Sequence, residues 1–145
     1  QEWFAKLANL AEQRGMAAFL EEMKTLPAWG NAFADPQLGK QITPTVLNNS
    51  PKAIAYTIRG VQLKRSSIFQ LASRLGGLPV ATLVLLSEGD TPVVECSHFL
   101  AEHVPKAKLE LIPARSHWTH LEAPKEFLRA VDRFLTRLST RKPSA

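Results

Sequence analysis

A single cysteine, Cys96, is all that this 145-residue chain contains, so no disulfide can close within it and no cysteine cluster can hold a metal. Nowhere do its seven glycines frame a serine as Gly-x-Ser-x-Gly, the turn that exposes a serine nucleophile. The serines stand instead in settings such as Asn49-Ser50-Pro51 and Arg65-Ser66-Ser67-Ile68. Glycine-rich loops that cradle phosphates or dinucleotides are also missing, which implies no organic cofactor. No apolar run approaches the ~20 residues of a membrane span. The opening Gln1-Glu2-Trp3-Phe4 lacks the charged-then-apolar order of a secretion signal, so a cytoplasmic origin is the default expectation. It also lacks an initiator methionine, which fits a fragment or a processed chain. The net charge is +5, but Lys64, Arg65, Arg137, Arg141 and Lys142 are scattered and not aligned with stacking aromatics, which argues against a nucleic-acid partner. No internal repeat is visible.

What is present begins with two apolar runs. Val80 to Leu86 is continuous, partly β-branched and bounded by Gly76-Gly77 and Glu88-Gly89-Asp90, which suits a strand covered on both faces. Leu109 to Ile112 is a shorter run of the same kind. Between them Val93, Cys96, Phe99, Leu100 and His103 recur at a helical period, so the segment reads as strand, crossover helix, strand. Beyond Pro124, the residues Phe127, Leu128, Val131, Phe134, Leu135 and Leu138 form one apolar stripe, the mark of an amphipathic helix suited to covering the sheet. Two strands alone would leave edges unpaired and apolar faces bare.

The first half reads as helical. Trp3, Phe4, Leu7, Leu10 and Ala11, then Met16, Phe19, Leu20, Met23 and Leu26, recur at three and four, with Gly15 separating two helices or kinking one. Residues 29–40, punctuated by Gly30, Asp35-Pro36 and Gly39, read as loop. Ser50-Pro51 starts a helix running to about Lys64, and Ser67 caps a short helix that ends at Gly76-Gly77.

Asp90 and His117 fall just beyond the C-terminal ends of the two strands, the edge where open α/β sheets gather their chemistry. Taken alone, Asp90 could shape the turn with Gly89 and Pro92, and His117 could be a structural loop histidine. The order acid then histidine, within Glu-x-Asp-x-Pro (Glu88, Asp90, Pro92) and Ser-His-Trp-x-x-x-Glu-x-Pro (Ser116, His117, Trp118, Glu122, Pro124), resembles the C-terminal end of the α/β-hydrolase superfamily. The lid-bearing enol-lactonases, carboxylesterases and meta-cleavage product hydrolases are the most similar. The resemblance extends over Pro79 to Leu138. It departs at Ser116 and Ser87, where the family usually has glycine.

The resemblance implies an α/β fold in which a helical lid segment, residues 1–76, precedes the C-terminal strands and helices of the hydrolase core, residues 77–145, with the N-terminal core strands absent. It makes Asp90 the triad acid and His117 the general base, with Glu122 and Pro124 starting the last helix. Trp118 beside the histidine, and Trp29 and Phe33 in the lid, become candidates to line a substrate pocket, although packing explains such aromatics equally. His120 near His117 invites a metal reading, but the spacing lacks the His-Glu-x-x-His pattern, and no metal is expected. The expected function is hydrolysis of a small ester or lactone by a Ser-His-Asp mechanism, with the nucleophile missing from this chain. Its partner would be the missing N-terminal half or a self-association partner. The other class that stays open is a non-catalytic hydrolase-like module that binds through its open strand edge.

Overall fold

The computed structural model of the protein describes residues 2–140; the basic tail from Arg141 to Ala145 lies outside them. The chain forms two compact units, Gln1–Ser66 and Ser67–Ala145. The expected boundary stands later, at 76/77. Ser67 to Leu75 group with the second unit because they pack against the helix that carries Phe99, the Phe69 ring edge-on to it with centroids 4.7 Å apart.

The first unit is helical: α1 (Glu2–Lys24), α2 (Pro27–Phe33), α3 (Pro36–Leu47) and α4 (Pro51–Thr57), the last continuing into a π-helical turn over Ile58–Gln62. One face of α1, built from Leu7, Ala8, Ala11, Met16, Phe19, Leu20 and Met23, is buried and packs against α2, α3 and α4. Gly15 kinks α1 with φ 79° and ψ 179°, a backbone region open essentially to glycine alone.

The loop expected over residues 29–40 is instead two helices. Pro27 and Pro36 each stand in the first turn, where proline starts a helix and does not break one. Asp35 caps α3 by accepting from the backbone N–H of Gln37 at 2.8 Å and of Leu38 at 3.3 Å. The Asp35 cap of α3 and the packing of both helices against α1 outweigh the propensity cost of Gly30 and Gly39 inside them.

The second unit opens with a 3₁₀ turn (Ile68–Leu71) and α5 (Ala72–Leu75), then runs β1 (Thr82–Ser87), α6 (Val94–His103), β2 (Ala107–Ile112), α7 (Thr119–Glu122) and α8 (Pro124–Ser139). β1 and β2 are parallel, in register from Thr82 opposite Ala107 to Ser87 opposite Ile112. Both strands therefore end level, and the loops that follow them lie side by side. Leu85 packs on a buried cluster of Ile112, Ala114, Ala123 and Ala130, which fastens α8 to the sheet. The apolar stripe of α8 is wider than the sheet it meets: Leu128 is 58% exposed and Leu135 54%, as is Leu111 on β2 at 58%. Two strands cannot cover that much apolar surface.

Candidate active site

The ends of β1 and β2 are tied together beyond the strand ladder. The N–H of Glu88 donates to the Ile112 carbonyl at 3.1 Å, and that of Gly89 to the Ala114 carbonyl at 3.0 Å. Gly89 lies so close to the Arg115 backbone that a Cβ there would stand 2.6 Å from Arg115 Cα. This contact, and not a left-handed φ, is why residue 89 is glycine: among the described residues Gly15 alone has positive φ.

Across the seam the structure brings Asp90 to His117. The two residues are 27 apart in the chain, and Oδ2 of Asp90 lies 2.6 Å from Nδ1 of His117. An ionised carboxylate can only accept, so the proton of this bond sits on Nδ1, and Nε2 is the nitrogen that can take a proton from another group. The side chains differ in burial: Asp90 is 3% exposed and His117 54%. Asp90 also shapes its own turn, its N–H donating to the Ser87 carbonyl and its carbonyl accepting from Val93, both at 3.1 Å. The turn and the contact with His117 thus involve the same residue. A cleft of about 370 Å³ adjoins the pair, lined by residues that include Ser87, Cys96, Ser97, Phe127 and His120.

The loop carrying His117 is framed by Glu122. Its Oε2 accepts from the Arg115 N–H at 2.7 Å, and its Oε1 accepts from the Ser116 hydroxyl. The Ser116 oxygen in turn accepts from the Trp118 N–H at 3.2 Å. Sequence reasoning took Glu122 only as the start of the last helix and missed this contact. No local pattern signals it, since the burial of Ser116 and the return of Glu122 to this loop are set by the fold. Ser116 is fully buried and its φ is not positive, so the serine that replaces the usual glycine is accommodated without strain.

The remaining candidates are dispersed. Trp118 is half-buried on the His117 loop. Trp29 and Phe33 belong to α2 in the first unit, Trp29 edge-on to Trp3 at 5.5 Å and Phe33 beneath the Lys24 ammonium at 5.8 Å. His120 is exposed, 6.0 Å from the Phe127 ring. His103 closes α6, its Nδ1 2.9 Å from the Phe99 carbonyl oxygen. Among the described residues no group of three or more His, Cys, Asp and Glu side chains is placed to hold a metal ion, and no helix is long and apolar enough to cross a membrane.

A helical segment, a parallel strand–helix–strand, an acid after one strand and a histidine after the next have the arrangement of the C-terminal portion of the α/β-hydrolase fold. No protein-family model matches the chain. It is 24% identical over 135 residues to a protein of Bacillus subtilis (strain 168) assigned provisionally as 2-succinyl-6-hydroxy-2,4-cyclohexadiene-1-carboxylate synthase, a match covering 90% of this chain and 47% of that protein. In structure it is similar to MenH from S. aureus, with a TM-score of 0.84 and 26% identity over 95% of this chain and 52% of that one. The chain thus spans about half the length of the curated relative it matches.

Proposed function

We propose that the chain supplies the acid–base half of a serine-type α/β-hydrolase active site. Asp90 holds His117 in the tautomer with Nδ1 protonated and stabilises the imidazolium. His117 takes the proton of a serine hydroxyl as that oxygen attacks a carbonyl, then returns it to the leaving group. The 2.6 Å contact between Nδ1 and a buried carboxylate is the observation that carries this reading. The serine and the backbone donors for the oxyanion come from the N-terminal half of a hydrolase core, which also pairs with the two-stranded sheet and covers the exposed leucines of α8. The first unit corresponds to the lid segment of such a hydrolase, and Trp118, next to His117, contacts the substrate.

The substrate on this reading is a small ester or lactone. A second reading is favoured by the curated relative, whose assigned product is a succinylated cyclohexadiene carboxylate: the same acid–base pair would then serve a small carboxylate-bearing substrate of that kind. Assays of the complete protein, with the nucleophile-bearing half present, on p-nitrophenyl esters, lactones and the substrate of that synthase test both. Turnover of any one, lost ~10³-fold or more in His117→Ala, is the expected result. Turnover that survives His117→Ala sinks the proposal.

A further inference from the structure

The Asp90–His117 contact poses a problem of support. The imidazole is half-exposed, so its single short bond to Asp90 must hold a side chain that would otherwise sample several rotamers. The support has to come through the loop backbone. Three residues of that loop are tied to one carboxylate: Arg115 directly through its N–H, Ser116 through its hydroxyl, and Trp118 through the Ser116 oxygen. These ties fall on both sides of His117. Both oxygens of Glu122 are committed to the loop, although Glu122 also stands just before α8 and could have served the N-terminus of that helix. Ser116, the central link, is fully buried, so water does not compete for its hydroxyl.

We propose that Glu122 is a positioning residue, acting through Ser116 as a latch that fixes the His117 loop so that Nδ1 faces Asp90. The serine is essential to the latch: a glycine at 116 would leave Glu122 its bond to Arg115 but break the link to Trp118. The inference requires only the Asp90–His117 contact and stands whether or not the protein hydrolyses anything.

The test is solvent exchange of the His117 Nδ1 proton, read by NMR in the full chain labelled with ¹⁵N in the histidine rings. Wild type shows a protected downfield Nδ1–H signal that Asp90→Asn weakens. Ser116→Ala, which keeps the Arg115 tie, speeds its exchange about 5-fold, and Glu122→Ala, which removes both ties, speeds it about 20-fold or more. Glu122→Gln retains an acceptor and falls between wild type and Glu122→Ala. Backbone amides of β1 and β2 exchange at the wild-type rate throughout, because the latch acts on the loop and not on the sheet. A wild-type chain without the protected signal overturns the proposal. So does unchanged exchange in a folded Glu122→Ala, or equal acceleration of the sheet amides, which would mark a merely structural role. If Glu122→Ala does not fold, unchanged exchange in both Ser116→Ala and Glu122→Gln overturns it equally.

Discussion

Adding one methyl group at Gly89 should disturb both the stability of the second unit and its acid–histidine pair. The new Cβ would stand 2.6 Å from Arg115 Cα, 2.8 Å from Arg115 O and 3.0 Å from Arg115 C, against the ~3.5–4.0 Å that carbon pairs prefer. All three atoms are backbone, so no side chain can rotate away. The loops must part by about 1 Å, which strains the Glu88–Ile112 and Gly89–Ala114 bonds that join them. Overpacking of this kind costs about 1–3 kcal/mol, and weakening one of those bonds adds about 1 kcal/mol. A total of ~2–4 kcal/mol corresponds to a melting temperature lower by roughly 10–25 °C in a domain of this size. The same shift carries Asp90 away from His117, and a 2.6 Å bond lengthened by about 1 Å is no longer a hydrogen bond. Thermal unfolding by circular dichroism and the His117 Nδ1–H signal read the two effects. Gly76→Ala is the control. Gly76 has helical φ −61° and ψ −22° with open space around its Cβ position, so that change is neutral or stabilising by up to ~1 kcal/mol. A Gly89→Ala chain that melts with wild type and keeps its Nδ1–H signal would refute the close-approach argument.

Other substitutions probe the remaining links. Gly15→Ala meets no atom within 4 Å, yet the backbone at φ 79° and ψ 179° excludes a Cβ, so a loss of about 1–3 kcal/mol is expected in chemical denaturation and a neutral result would mean the kink relaxes freely. Ser67→Ala removes the bond to the Gln70 N–H and half of the capping box, and should lower stability by ~1 kcal/mol with the denaturant slope unchanged. Asp90→Asn keeps the shape but removes the charge that holds the Nδ1–H tautomer; ¹⁵N shifts of the His117 ring should report mixed tautomers, and in the complete protein turnover should fall by up to ~10⁴-fold. Arg133→Ala breaks a 2.6 Å bridge to Glu110 at the surface of the second unit, and because the arginine is 53% exposed the change should cost no more than ~1 kcal/mol, less at high salt.

Local signals made much of the second unit legible in its sequence. The partly β-branched apolar run before Glu88, bounded by turn signals, suits a strand and the periodic stripe after Pro124 a helix, and they formed β1 and α8 within a few residues of the expected ends. The loop expected over residues 29–40 failed for the opposite reason. Proline and glycine were read as breaks, whereas at those positions proline opened helices that α1 then covered. Asp90 and His117 stand out as candidates because strand ends are marked by composition, and as an acid–histidine pair only through the resemblance. Their 2.6 Å contact depends on the parallel register that ends both strands level, and a register lies in long-range pairing, not in either segment.

The sequence by itself determined the kinds and order of the elements of the second unit and the residue types at its strand ends, since periodicity and turn chemistry act over a few neighbours. Only the tertiary structure decided that Gly89 must be small, because the Arg115 backbone it touches comes from the other loop. Only the fold, too, turned the Glu122 carboxylate back onto the residues around His117, a contact made by the path of the chain through α7 and invisible to any local pattern.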